Sequence, residues 1–531
     1  MKTNILFIVL FLISLNVFAQ QKDSYLINTD TIWSSDTIRL YSDVIVNYPA
    51  SLTIAEGVFI EFQGNYSITV FGRISARGTI NDTIIFTINN AELIDDTTTN
   101  AGGWGGIKLL SNEIDTSIFE YCKFSYGKAI APGTSWDNPY NEDNKGGAIY
   151  ITEYGHFHAN NCTFYHNRAN YAGGGIYVNE CNTFKINSNC FKYNSAYFIG
   201  GGVFIESSSY SLIYNNLFYV NESFYTTTVS VGGAGSGLAL YDNAVVLSNL
   251  FFNNTSVSGA MYESSYNSII INNISANNKG AGMLFAGWDH GISKLINNII
   301  VNNKSFLPGG CGILFFGDKA VMRNNIVSGN TSYIEGIDPI QVWTPREVIA
   351  DFAYSCNPDE PVYYQGEGNI HEDPQFINPT SGAGPDYDGL AADWSLLDSS
   401  PCVNTGTPDT TGLNLPATDL LGNPRIYGIR VDMGAIENQM VVGLPQNPLV
   451  NARIQVAPNP FGQSFKVIAP GRDKISSISL FNQNGQQIAT ETMMPFEQML
   501  VFDLAHQTPG LYLLVTHFAD GSTETTKLVK Y

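Results

Sequence analysis

One short phrase returns along residues 104–330 with its wording changed and its chemistry kept. A self-similar period of this size limits the chain to architectures made of stacked units. The first half of the phrase is a small-residue turn followed by an apolar strand: Gly146-Gly147-Ala148-Ile149-Tyr150-Ile151, Gly173-Gly174-Gly175-Ile176-Tyr177-Val178 and Gly200-Gly201-Gly202-Val203-Phe204-Ile205. Looser copies begin at Gly235, Ser258, Gly280 and Gly310. The second half centres on an asparagine before an apolar residue: Asn161, Asn189, Asn216, Asn249, Asn273, Asn298 and Asn325, with Tyr121 in the same slot one repeat earlier.

Each copy holds short β-rich runs broken by Gly, Ser and Asn, and none carries sustained helical spacing, so helical solenoids are excluded. Strands this short cannot bury a face alone. Wound so that each pairs in parallel with its copy one turn below, they bury a continuous core. The expected fold is all-β: a right-handed parallel β-helix followed by a small C-terminal β-sandwich. In that register the residues after the asparagines, Cys122, Cys162, Cys190, Leu217, Leu250, Ile274, Ile299 and Ile326, are expected to stack inward. The asparagines form a structural ladder, because in-register Asn amides hydrogen-bond along a parallel stack and Asn tolerates the left-handed corner.

The phrase resembles the repeats of the polymorphic outer membrane proteins, whose motifs are Gly-Gly-Ala-Ile and Phe-x-x-Asn. The second motif is matched by Phe164-Tyr165-His166-Asn167, Phe191-Lys192-Tyr193-Asn194, Phe218-Tyr219-Val220-Asn221 and Phe251-Phe252-Asn253-Asn254. The resemblance implies the β-helix; an adhesive role like that family's would fall to exposed side chains outside the motif. From Thr31 to Thr87 the strand-and-turn pattern lacks the asparagine phrase and looks like the opening coils of secreted β-helix proteins of the pectate-lyase-like kind, with Trp104-Gly105-Gly106-Ile107 in the place of their Trp-x-Gly-Ile turn.

Residues 1–19 carry Lys2, an apolar run from Ile5 to Leu15 and Val17-Phe18-Ala19, the pattern of a secretory signal peptide. No later stretch has the roughly 20 apolar residues of a membrane helix. A formal charge of −21 with only 14% charged residues argues against nucleic acid or an anionic membrane as partners. Seven cysteines in an exported chain raise the question of disulfides; Cys122, Cys162 and Cys190 read first as small buried hydrophobes of the apolar file, with a Cys162 to Cys190 disulfide between stacked neighbours as the alternative.

The sequence divides into opening coils over 20–103, repeats over 104–367, a distinct region over 368–437, a linker over 438–453 and a terminal domain over 454–531. Three insertions interrupt the repeats. They bring loop aromatics that could bind sugars or pack down over the coils, of which Trp136, Tyr140, Trp343, Tyr363 and Tyr364 are the candidates. The series Ser400-Pro401-Cys402-Val403-Asn404-Thr405-Gly406, Thr418-Asp419-Leu420-Leu421-Gly422-Asn423-Pro424-Arg425 and Val431-Asp432-Met433-Gly434-Ala435-Ile436-Glu437 resembles the choice-of-anchor Q domain of bacterial surface proteins. It departs from that pattern at Cys402, where alanine is usual and which could pair with Cys356. The last residues alternate strands with Asn-Gly and Asp-Gly turns, from Val456-Ala457-Pro458-Asn459-Pro460 to a terminal Lys527-Leu528-Val529-Lys530. They closely resemble the type A sorting domain of the type IX secretion system. That resemblance implies the secretion machinery as a partner through residues 454–531, and a secreted or outer-membrane-surface location in a Gram-negative bacterium.

Catalytic patterns of polysaccharide lyases and hydrolases are poorly matched. Trp288-Asp289-His290 lacks one residue and the paired Asp of the pectate-lyase phrase it faintly resembles. Asp386-Tyr387-Asp388-Gly389 with Asp393 reads first as a turn and could alternatively form a partial calcium loop, the one cofactor the sequence suggests. The leading expectation is a non-catalytic adhesin or glycan-binding protein with a polysaccharide or cell-surface ligand. A lyase or hydrolase, and a surface-layer component, stand as alternatives.

Overall fold

The computed structural model describes residues 24–131, 141–224, 233–265, 267–287, 292–307, 312–316, 319–336, 340–344, 350–358, 366–439, 454–459, 461–468, 475–482, 485–491, 499–508, 510–518 and 522–530. The signal peptide, most of the linker, Trp288-Asp289-His290 and four of the five loop aromatics (Trp136, Tyr140, Tyr363 and Tyr364) lie outside them.

The chain winds as a parallel β-helix. One coil shows the rule. The strand Ile149–Asn160 bends at Glu153, where φ is 50°, and turns at Asn161, where φ is 53°. The strand Thr163–Tyr165 follows, with a second corner at His166, then the short strand Arg168–Ala169 and a glycine turn into the next coil. Ile149 pairs with Ile176, Phe164 with Phe191 and Ala169 with Ala196, all in parallel. The turn must be glycine: a Cβ on Gly174 would lie 2.3 Å from the carbonyl of Gly201 one coil up. An eleven-stranded parallel stack runs from Thr37–Leu40 to Ile326–Ser328 along one side. Its inward file is a column of rings, Phe124, Phe164, Phe191, Phe218 and Phe251, with centroids 4.5–5.0 Å apart. All five are fully buried.

Two asparagine ladders bound this stack. In the first, Asn189, Asn216, Asn249, Asn273, Asn298 and Asn325 each pass their side-chain amide to the oxygen of the next, at 2.9–3.0 Å. Each amide also donates to a carbonyl one coil below, as Asn216 does to Ile186. The second ladder is the Asn of Phe-x-x-Asn: Asn167, Asn194, Asn221, Asn254, Asn278, Asn303 and Asn330, ending on Gln341. The amides satisfy corner backbone groups that the interior would otherwise leave unpaired.

The register corrects three expectations. Thr163 is level with Cys190, so Asn161 lies beside Ser188, one residue before the ladder, and Cys162 takes the ladder position below Asn189. For the same reason Cys162 adjoins Cys122 and not Cys190. Third, the residues after the ladder asparagines face outward. The ladder amides themselves point inward, and successive side chains of a strand alternate. Leu217, Ile274, Ile299 and Ile326 are nevertheless buried, because the chain beyond the last coil folds back over them with Trp394, Leu396, Cys402, Met433 and Ile436.

That return segment, within residues 370–437, has little regular structure: two short strands, Phe376–Asn378 and Asp393–Leu396, and a turn of 3-10 helix at Gly389–Ala391. The terminal domain is separate in topology, a three-stranded and a four-stranded antiparallel sheet. Its own core holds Phe461, Phe465, Val467, Ile478, Leu480, Phe502, Leu514 and Leu528.

Candidate functional site

Two corners per coil adopt left-handed φ, and what occupies them depends on what lies above. At the corner before the second ladder the file runs Tyr126, His166, Tyr193, Val220, Asn253, Asn277, Asn302 and Gly329, with φ between 52° and 67°. Left-handed backbone is easy for Gly and tolerable for Asn, but strained for aromatic and β-branched residues. The asparagines are sockets for the return segment. Asn253 Nδ2 donates to the carbonyls of Pro385 (3.2 Å) and Tyr387 (2.9 Å), and Asn277 Nδ2 to those of Gly382 (3.0 Å) and Gly384 (3.2 Å). At the other corner Asn297 Nδ2 donates to Asp432 and Gly434, and Asn324 Oδ1 accepts from the Thr407 amide. The doubled asparagines of the later repeats therefore divide their work: the first holds the return segment, and the second holds the coil.

Where the cover stops, the strained corners carry rings. Tyr126, Tyr165, Tyr193 and Tyr219 form a strip across successive coils, each touching the next edge to face at 5.7–6.3 Å. His166 lies 5.7 Å from the Tyr126 ring and 5.9 Å from that of Tyr165. Three steps of coil spacing make the strip about 15 Å long. Tyr193 is 36% exposed and the other rings are half-buried. Burial raises the phenols of Tyr126, Tyr193 and Tyr219 above their ordinary value, so they stay protonated hydrogen-bond donors.

Charged groups rim the strip. Asp95 accepts from His166 Nε2 at 3.1 Å and pairs with Arg168 at 3.5 Å. The loop bearing Asp95 is tied down by buried Lys128, whose Nζ donates to the carbonyls of Leu93 (2.5 Å) and Ala101 (2.7 Å). Lys123 Nζ stands 5.7 Å from the Tyr165 ring, and Lys192 is in register between Tyr165 and Tyr219. Partly exposed rings beside fixed polar groups are the makeup of a recognition surface.

A second aromatic file is of the opposite kind. On the outer side of the strand before the first bend, Lys108, Tyr150, Tyr177, Phe204, Ala239, Tyr262, Leu284, Leu314 and Trp343 follow one another in register. Tyr150, Tyr177 and Phe204 are buried beneath Tyr171 and Phe198, which stack on each other at 5.4 Å. Trp343 packs against Phe316 at 5.2 Å. Lys145 donates to the Tyr177 hydroxyl at 3.0 Å, and that hydroxyl donates to Glu206. Burial raises the Tyr177 phenol well above its ordinary value, and burial lowers the Lys145 ammonium. Trp343 is thus part of a small core outside the coil, apart from the tyrosine strip.

Of the calcium candidates, Asp388 accepts from the Leu390 amide at 3.1 Å and adds to burial in raising the Tyr219 phenol, while Asp393 accepts from the Ser395 amide at 3.0 Å. Asp386 is exposed. Among the described residues, no three His, Cys, Asp or Glu side chains gather so as to hold a metal ion. The strip residues stand at the two variable positions of Phe-x-x-Asn, and that spacing was the signal that could have found them: one x faces out and the next is the corner.

Residues 455–531 match the family described as the secretion system C-terminal sorting domain. No curated protein matches the chain. The sorting tail marks a secreted or cell-surface protein of Bacteroidetes-type bacteria and implies interaction with the secretion machinery. No helix among the described residues is long and apolar enough to cross a membrane.

Proposed function

We propose that this is a glycan-binding surface protein whose ligand lies along the tyrosine strip, with the β-helix as a rigid, non-catalytic support. The observation that carries the reading is the corner file itself. At the corner before the second ladder Asn253, Asn277 and Asn302 hold the return segment, whereas the four preceding corners hold Tyr126, His166, Tyr193 and Val220, a conformation that costs about 1–3 kcal/mol for an aromatic or β-branched residue. Strain kept at exposed rings argues for a use of those rings. Half-exposed tyrosines with hydroxyl, imidazole, carboxylate and ammonium groups at their edges suit a short stretch of oligosaccharide, with ring faces against the apolar faces of sugars and the rim groups on their hydroxyls. We assign residues 370–437 the role of a cover that completes the solenoid, which fits the anchoring-module reading of that region.

The test is retention of the full exported protein in affinity gels containing neutral or uronate-bearing polysaccharides, with unsaturated-product absorbance followed in parallel. Wild type is expected to be retarded by at least one polysaccharide, and a Tyr165→Ala/Tyr193→Ala double variant to lose at least tenfold in affinity. Equal retardation of both would remove the strip as the site. Product formation would replace binding with catalysis.

A further inference from the structure

The return segment is held by the corner asparagines and by apolar contact, and one further contact in the same interface has the chemistry to become covalent. Cys356 belongs to the last coil: its amide donates to the Asn325 carbonyl at 2.8 Å, and it bridges Ile326 on one side and Ile370 on the other. Cys402 sits in the Ser400–Asn404 turn of the return segment, its amide on Ser400 Oγ at 3.1 Å and its carbonyl accepting from Met433 at 3.0 Å. Both side chains are fully buried in one apolar cluster with Trp394, Leu396 and Met433, where Cys402 is the first of the neighbours that raise the Cys356 thiol above its ordinary value. Each backbone is fixed independently, so the contact does not depend on a mobile side chain. The sorting tail sends the chain out of the reducing cytoplasm into compartments where disulfides form and persist.

We propose that Cys356 and Cys402 are oxidised to a disulfide during export, a covalent staple between the last β-helix coil and the segment that covers it. The oxidant is a disulfide-bearing thiol oxidoreductase. One cysteine, as thiolate, attacks the oxidant's disulfide to give a mixed disulfide; the other then displaces the oxidant. The S–S bond forms between Cys356 and Cys402, their two thiol protons pass to the oxidant's sulfurs, and the oxidant leaves reduced by two electrons as a dithiol. The step precedes docking, while both thiols are accessible. Cys122 and Cys162 also adjoin, but on neighbouring coils that are already paired; their thiols lie on the carbonyls of Ala76 (3.4 Å) and Phe119 (3.5 Å), as that of Cys356 lies on the Glu372 carbonyl (3.3 Å). They start the ladder. Cys356 and Cys402 instead join parts of the chain 46 positions apart, the difference of their numbers, where a cross-link removes freedom from the unfolded chain.

The test uses full-length protein recovered from the medium or cell surface and denatured in iodoacetamide without reductant. After digestion, mass spectrometry should show the Cys356 and Cys402 peptides as one species that separates on reduction, with Cys181 and Cys190 alkylated. A Cys402→Ser variant should leave Cys356 alkylated and melt a few degrees lower, and reductant should shift the melting of wild type but not of the variant. Separate alkylation of Cys356 and Cys402 in the unreduced wild type, or linkage of either to another cysteine, would overturn the proposal.

Discussion

The covered and the bare coils of this β-helix have the same interior and different corners. Phe164, Phe191 and Phe218 in the bare half continue as Phe251, Ser275, Ile300 and Val327 beneath the return segment, with no break in register. Outside, the residue after the first ladder changes from Lys123, Thr163 and Cys190 to Leu250, Ile274, Ile299 and Ile326, and the second corner changes from Tyr, His, Tyr and Val to Asn, Asn, Asn and Gly. The coil therefore needs only its ladders and inward file. Everything else on the surface is free to answer to what lies on it, and a corner residue reports whether its neighbour is protein or something that arrives later.

The largest effect should come from a position that the two halves share. Asn278 Nδ2 donates to Phe251 O (2.9 Å) and Asn303 Oδ1 (2.8 Å), and its Oδ1 accepts from the Asn254 amide at 2.8 Å. Asn278→Ala leaves those partners buried and unpaired, so a loss of about 3–5 kcal/mol is expected in urea denaturation. A loss below about 1 kcal/mol would mean that the ladder is ornament and that the rings alone hold the coil.

A smaller effect should be confined to the covered half and should depend on pH. Asp432, buried in the return segment beside Glu437, has its carboxyl raised to about 7, chiefly by burial and then by the neighbouring carboxylate. In the unfolded chain it titrates near 4. The raised value means that the folded state holds the proton more tightly. The stabilisation is full below about pH 4 and is lost as the pH rises through about 7, a total of roughly 2–4 kcal/mol. The urea midpoint followed by Trp394, which lies in this segment, should be higher at pH 6 than at pH 8.5, and Asp432→Asn should flatten the difference. A midpoint that rises with pH would reverse the assignment.

How much of this was legible in the sequence follows the same division. The repeat, the parallel coil and the ladder from Asn189 to Asn325 could be read directly, because an amide that must meet its copy one coil away leaves a period. The register of the first copies could not: Asn161 imitates a ladder residue, and only the pairing of Thr163 with Cys190 places it at the corner. The outward turn of Leu250 and Ile274 was hidden because an apolar residue looks the same whether the core or a distant segment buries it. Asn253-Asn254, Asn272-Asn273, Asn277-Asn278, Asn297-Asn298, Asn302-Asn303 and Asn324-Asn325 were in view as doublets, but their first members take their meaning from chain about 80–150 positions later, as the Asn302–Thr380 and Asn272–Arg425 contacts show. Loop aromatics drew attention as ligand sites, although the in-register file gives Trp343 a packing role and the motif's variable positions give the exposed rings.

The smallest effect should have the opposite sign. Tyr193 occupies its left-handed corner at φ 59° with an exposed ring, and on the covered coils the equivalent corners are Asn253, Asn277 and Asn302. Tyr193→Asn relieves the backbone and forfeits only edge contacts with Tyr165 and Tyr219, so stability should rise by up to about 1 kcal/mol. Glycan retention should fall in the same variant, because the ring at the centre of the strip is gone. Gain of stability with loss of binding is the signature of a residue retained for its ligand. If Tyr193→Asn instead destabilises the protein and leaves retention unchanged, the tyrosines are packing, and the bare half differs from the covered half only in lacking a cover.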